Sequence, residues 1–122
     1  MKVRFGVLVS SGNAFPHRDD LSKFRDLIRV IDGAGVEMIG TYDTSFIGGD
    51  AYVRATLIAE TAENALVGLH PTNTLTREPQ IMAAFLASID AMTEGRAFVD
   101  IASGDSAVYN IGLKPATRAR ME

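Results

Sequence analysis

Short apolar runs alternate with longer amphipathic stretches along this chain of 122 residues. The apolar runs are bounded by polar or glycine-containing segments, as expected for strands that end in loops. The pattern predicts four strands, at residues 3–9, 37–42, 66–70 and 97–102. Between them, apolar residues at helical spacing predict helices at residues 21–33, 51–64 and 78–93, and a further helix begins near residue 115.

Local signals place the ends of these helices. Asp50 is a plausible N-cap for the second helix, Pro79 suits the first turn of the third, and Gly95 suits its C-terminal end. Thr76 and Asp105 are further capping candidates for the helices that follow them. These assignments compete with functional roles for the same residues, and local sequence alone leaves both open.

Strands recur at roughly 30-residue spacing with helices between them, which predicts right-handed βαβ units and a parallel sheet. The fold class is therefore α/β, with about four strands and three to four helices. A complete doubly wound domain is disfavoured because the loop at Ser10–Asn13 lacks a convincing phosphate-binding helix start. A barrel normally needs about 200 residues or more, and the last helix has no stop signal. We expect residues 1–122 to form the N-terminal half of a (βα)8 TIM barrel, truncated at its C-terminal end.

Composition narrows the function. Hydrophobic residues make up 47% of the chain, enough for a core, and the net charge of −3 comes without a basic cluster, so no nucleic-acid partner is expected. The chain has no cysteine and only two histidines, His17 and His70, which excludes disulfides and disfavours a metal site. No apolar stretch reaches membrane length, so we expect a cytoplasmic protein with no membrane contact.

The candidate functional residues follow three predicted strands. In a parallel α/β fold such loops share one edge of the sheet, where active sites lie. Asp43 could serve as a general base or hold a ring N–H, and the small loop after the fourth strand could receive an anion or a ring edge. Asp100 interrupts an apolar strand, so we expect it to pair with Arg4 or Arg96. The candidate set is Asp43, His70, Pro71, Thr72, Asn73, Ser103, Gly104, Asp105 and Ser106.

Taken together, these segments resemble the luciferase-like monooxygenase superfamily, particularly its branch similar to methylenetetrahydromethanopterin reductase. The segment Thr72–Pro79 is similar to the family's TNPxTRHP-like stretch, and Ser103–Ala107 is similar to its GxGxGDSA-like turn. Asp43 stands where that branch has an acidic residue after its second strand. Thr44 stands where some deazaflavin enzymes carry a histidine, so a mechanism that uses that base is not carried over.

The resemblance implies a (βα)8 barrel that binds FMN or the deazaflavin coenzyme F-420 and acts on a small organic substrate. Hydride transfer or oxygen activation would be the reaction. The family's bulge after the third strand maps onto His70–Pro71, where we predict a cis peptide bond behind the cofactor ring. Thr72 and Asn73 would bind the ring's edge, and Asp43 would be catalytic. The loop of Ser103, Gly104, Asp105 and Ser106 would lie near the cofactor's tail.

Half a barrel would expose two sheet edges, so we expect a homo-oligomer. The alternative to an enzyme is a non-catalytic half-barrel that binds a flavin or dimerises without turnover.

Overall fold

The computed structural model describes residues 3–10 and 18–121. Residues 11–13 of the loop after the first strand, and His17, lie outside the described residues. In chain order the elements are β1 (Gly6–Leu8), α1 (Arg18–Gly33), β2 (Met38–Thr41), α2 (Ser45–Gly48), α3 (Ala51–Thr61), β3 (Leu66–Thr72), α4 (Pro79–Met92), β4 (Ala97–Ile101), α5 (Asp105–Tyr109) and α6 (Arg118–Met121).

The four strands form one parallel sheet in the order β1-β2-β3-β4. This order confirms the predicted α/β class with parallel βαβ units. It also excludes the doubly wound alternative for the described residues, because that fold places its first strand inside the sheet. Sequential order is the arrangement of neighbouring strands in a TIM barrel.

The core lies between one face of the sheet and the three long helices. Ile39 of β2 and Val67 of β3 lie side by side on this face of the sheet. Both are fully buried against Ile28, Ile58 and Ile89 of α1, α3 and α4. Each such side chain stabilises the fold by roughly 1.5–3 kcal/mol. The opposite face of the sheet, which we call the inner face, carries no helix among the described residues. Within that part of the chain, no helix is both long and apolar enough to span a bilayer.

Several predicted helix ends are confirmed. Asp50 caps α3 by accepting bonds from the backbone N–H groups of Tyr52 and Val53, at 2.8 and 3.3 Å. Pro79 occupies the first turn of α4, and Gly95 follows that helix with a φ of 90°.

The capping expectations for Thr76 and Asp105 are wrong. The N-cap position of α4 is Glu78, because Pro79 starts that helix and Thr76 stands too far upstream. The N-cap position of α5 is Gly104, which has a left-handed backbone, and Asp105 is the first residue of the helix itself. Neither Thr76 nor Asp105 is therefore committed to helix capping.

Asp32, near the end of α1, joins that helix to the turn before β3, away from the candidate site. Its carboxylate accepts bonds from the backbone N–H groups of Glu63 and Ala65, at 2.9 and 2.8 Å, and from the Asn64 side chain at 3.0 Å. Burial alone would raise the pKa of Asp32, but these hydrogen bonds outweigh burial and hold the pKa below its usual value. The charged carboxylate therefore stabilises the junction between α1 and the turn before β3.

Replacing Asp32 with asparagine should lower the free energy of unfolding at pH 7 by about 1–3 kcal/mol, because hydrogen bonds to a charged acceptor are lost. The contribution of Asp32 is present above the carboxyl's usual value of 3.8 and disappears as the pH falls through the lower folded-state pKa. The gap between wild type and Asp32→Asn should therefore close in acid. Urea unfolding at several pH values measures it.

Asp26→Asn is the matched control, because Asp26 lies exposed on the same helix and pairs with Arg29. It should change stability by less than about 0.5 kcal/mol. Equal losses for the two variants would contradict the role given to Asp32.

Candidate functional site

The loops after β2, β3 and β4 meet at the carboxyl edge of the sheet and enclose a cavity of about 350 Å³. Eight of the nine residues in the candidate set from the sequence line this cavity, and His70 does not. Apolar side chains complete the wall. The lining residues are Tyr42, Asp43, Thr44, Ile47, Pro71, Thr72, Asn73, Ala102, Ser103, Gly104, Asp105, Ser106 and Ala107.

Asp43 is the buried carboxylate of this cavity, with 7% of its surface exposed. The hydroxyl of Thr72 donates a hydrogen bond to Asp43 Oδ2 at 2.9 Å. The backbone N–H of Asp43 donates to the carbonyl of Pro71 at 3.0 Å. These bonds fix the carboxylate between the ends of β2 and β3 and leave its remaining acceptor capacity for another donor.

The end of β3 has the irregularity that the family resemblance implies. Its register with β4 shifts between Leu69 and Thr72, and the His70–Pro71 peptide bond is cis. Both the bulge and the cis bond are thus confirmed.

Asn73, 3% exposed, shapes the loop that follows β3. Its side-chain oxygen accepts bonds from the backbone N–H groups of Leu75 and Thr76, each at 2.9 Å. Since the oxygen is committed to the loop, the Nδ2 group is the part of Asn73 that could serve a ligand.

Gly104 lets the loop after β4 approach the loop after β3. Its φ is 91°, and a Cβ there would lie 2.9 Å from Val108 Cγ1 and 3.1 Å from Asn73 Cβ. A side chain would therefore be strained and would push the two loops apart. The glycine keeps Ser103 and Asp105 on the wall shared with Asn73.

Arg54 of α3 is a fully buried cation that the sequence analysis missed. Its guanidinium donates to Thr41 Oγ1 at 2.7 Å and to the carbonyls of Tyr42 at 2.6 Å and Gly49 at 3.1 Å, and also contacts the Gly48 carbonyl. Burial lowers the pKa of Arg54, and the nearby acidic groups Tyr42, Asp43 and Asp50 oppose that shift. Arg54 therefore holds the backbone on both sides of Asp43's loop.

A signal for Arg54 was present in the sequence. Ala51, Ala55 and Ile58 form the apolar stripe of α3, and Arg54 lies on the same stripe at helical spacing. A charge on a buried stripe requires several partners. The carbonyls that supply them belong to the irregular loop after β2, which periodicity does not describe.

A second cluster beside the cavity joins α3 to the loop before α4. The Tyr52 ring stacks on Phe85 at 4.2 Å, and the Arg77 guanidinium lies 3.8 Å from the Tyr52 ring centre and pairs with Asp50. Burial raises the pKa of Tyr52, with Asp43 and Asp50 adding to the shift and Arg77 opposing it. Burial alone would raise the pKa of Asp50, but bonds from Arg77 and the α3 backbone hold it below its usual value. This cluster fixes the start of α3 against the loop.

His70 and Asp100 lie together on the inner face, where His70 Nδ1 contacts Asp100 Oδ2. The expectation that Asp100 pairs with Arg4 or Arg96 is wrong. Strand alternation turns Asp100 to the inner face, while Arg4 binds Glu37 at 2.7 Å and Arg96 donates to the carbonyls of Ala62 and Ala65. Asp100 is also about half exposed rather than buried.

A parallel sheet in sequential order, with polar loops converging at its carboxyl edge, defines a TIM-barrel type of α/β protein. The chain belongs to the luciferase-like monooxygenase family, whose model matches residues 3–122. A solved structure similar to it is the coenzyme F420-dependent tetrahydromethanopterin reductase from Methanopyrus kandleri, with 27% sequence identity and a TM-score of 0.79. The match covers 93% of this chain and 31% of the reductase, so this chain spans about a third of that protein's length.

Replacing Arg54 with methionine should lower the free energy of unfolding by about 3 kcal/mol or more, because it leaves several buried carbonyls without donors, at about 1–3 kcal/mol each. Urea unfolding followed by circular dichroism measures the loss. Arg29→Met is the control, since Arg29 forms an exposed pair within α1 and its removal should cost less than about 1 kcal/mol. A small, equal effect for both would show that Arg54 does not hold the loop.

Proposed function

We propose that this chain contributes the cofactor-binding face of a flavin- or deazaflavin-dependent oxidoreductase that acts on a small organic substrate. The observation that carries the proposal is the convergence of Asp43, Thr72 and Asn73 with the Gly104 loop around one cavity, in a member of the luciferase-like monooxygenase family. The solved reductase, named for its dependence on coenzyme F420, supports a cofactor of this type.

The cavity suits part of a planar polar heterocycle. Its volume of about 350 Å³ falls at the low end of the range of roughly 300–1,000 Å³ for small-molecule sites. Ile47, Pro71 and Ala102 give it apolar walls, and Asp43 and Ser103 supply polar groups at its edge. Such a mixture can hold the face of a ring by apolar contact while the polar groups fix its orientation.

Each residue has a defined task in this proposal. Asp43 accepts an N–H group of the ring or substrate, and Thr72 holds the Asp43 carboxylate in place through its hydroxyl. Asn73 offers its Nδ2 group to a carbonyl oxygen, and Pro71 forms the wall behind the ring. The loop of Ser103, Gly104, Asp105 and Ser106 borders the cofactor's tail. When bound, the cofactor supplies the hydride or activates oxygen, and the protein orients it and excludes water.

The apolar side chains left uncovered at the inner face and sheet edges support two related proposals. Phe5, Leu8 and Ile101 are 69%, 44% and 45% exposed. We propose that residues 1–122 act as the N-terminal half of a barrel and that the protein works as a homo-oligomer. A cytoplasmic location is a separate proposal, which rests on the sequence alone. Light scattering on the purified chain measures its assembly, and a strictly monomeric chain would contradict the oligomer.

Titration of the chain with oxidised and reduced FMN and F-420, followed by absorbance and fluorescence, should show saturable binding of one of them. Asp43→Asn keeps the shape of the side chain but removes its charge, so affinity for the bound cofactor should fall about 10- to 100-fold. Thr72→Val removes only the hydroxyl that holds Asp43, and a smaller loss of about 2- to 10-fold is expected.

The exposed variant Asp26→Asn controls for charge alone and should bind like wild type. Absence of saturable binding for both cofactors would reject the proposal. Binding that is equally strong in Asp43→Asn would instead remove Asp43 from the site. Binding without turnover of any substrate by the assembled protein would favour the non-catalytic flavin-binding module.

A further inference from the structure

The inner face of the sheet carries two layers that differ in character. The register aligns Leu8, Gly40, Gly68 and Phe98 across the four strands, which gives one layer of apolar side chains and glycines. The next layer toward the carboxyl edge is polar. Strand alternation assigns Ser10, Tyr42, His70 and Asp100 to it, and we call these four residues the polar layer.

Contacts within the polar layer join its members in pairs. Ser10 Oγ and Tyr42 OH are hydrogen-bonded at 2.5 Å, and His70 Nδ1 contacts Asp100 Oδ2. The His70 ring has room because Gly40 has no side chain, since a Cβ there would lie 2.7 Å from His70 Cβ. On the other side, the Phe98 ring centre lies 6.3 Å from that of His70. The imidazole is thus held at one nitrogen, while 46% of the His70 side chain stays exposed on the inner face.

The polar layer directly adjoins the cavity described above. Tyr42 belongs to both, and Pro71, the residue after His70, lines the cavity wall. TIM-barrel interiors are usually filled with bulky apolar side chains. The His70–Asp100 pair, which lies near the ends of β3 and β4, departs from that pattern.

We propose that His70 and Asp100 form a proton-transfer pair on the inner face, next to Pro71 of the cavity wall, which takes a proton from an O–H or N–H group of a bound small molecule. The inference rests on the proposed function, because that function supplies the bound molecule. It goes further because it gives His70 a role in proton transfer. Its partner in that role is Asp100, to which the family resemblance gives no function.

The chemistry follows from the hydrogen bond at Nδ1. A carboxylate there favours the tautomer that carries its proton on Nδ1, which leaves the Nε2 lone pair free to accept a proton. In the transfer, the O–H or N–H bond of the ligand breaks and an Nε2–H bond forms. The Asp100 carboxylate stabilises the resulting imidazolium and keeps its own charge. The reverse step returns the proton, so no electrons move through the pair.

The tautomer can be measured without cofactor. The chain has two histidines, and His17→Gln leaves His70 as the only one. Long-range 1H–15N spectra of this variant, with 15N in the imidazole ring, should show a protonated Nδ1 and an unprotonated Nε2 at a pH where the ring is neutral. Asp100→Leu should shift the ring toward the Nε2–H tautomer, whereas Asp26→Asn should leave it unchanged. An Nε2–H ring in the presence of Asp100, or no response to Asp100→Leu, overturns the proposal.

A second measurement tests whether the bound molecule reaches Nε2. Diethyl pyrocarbonate modifies unprotonated imidazole nitrogens, and the reaction of His70 in His17→Gln is followed by absorbance. With FMN or F-420 at ten times its Kd, the rate should fall about tenfold, because only the unbound fraction reacts. A cofactor that binds but leaves the rate unchanged overturns the pair alone. If neither cofactor binds, the proposed function fails, and the tautomer still decides the pair.

Discussion

Parallel strands in sequential order place every strand-to-helix loop at one edge of the sheet, and the candidate site depends on this constraint. Asp43, Asn73 and Gly104 lie far apart in sequence, yet each follows a strand and so meets the others at the carboxyl edge. The helices on the other face cover the sheet through two apolar clusters, both of which Phe85 contacts. The site is therefore a consequence of strand direction before any specific side-chain contact is considered.

The common direction of the strands brings the loops together, and a small number of contacts gives these loops a defined shape. Arg54 binds the carbonyls of the loop after β2, and Thr72 links β3 to the carboxylate of Asp43. Gly104 then allows the loop after β4 to close against Asn73. Two of these contacts tie a loop to a helix or a strand and the third packs two loops together, so the loops can keep a defined cavity although they contain little secondary structure.

The sequence predicted the regular elements and the cluster of polar residues well, because both follow from periodicity and strand direction. It failed where partners are set by side-chain orientation. Asp100 was expected to meet Arg4 or Arg96, but alternation along β4 turns it to the inner face beside His70. Arg54 escaped notice because most of its partners are backbone carbonyls, which any residue type carries and which the sequence therefore does not reveal.

The position of the His70–Asp100 pair on the inner face matters for what can cover that face in an assembled barrel. In the described chain both side chains are about half exposed, so solvent can reach the groups that the pair leaves without a partner. If further strands or another subunit covered that face, Nε2 would lose its contact with solvent, and burying a polar group without a partner is costly. A bound ligand that donates a hydrogen bond to Nε2 would supply the missing partner. The physical cost of covering this pair is thus itself an argument that a polar molecule occupies the space above it.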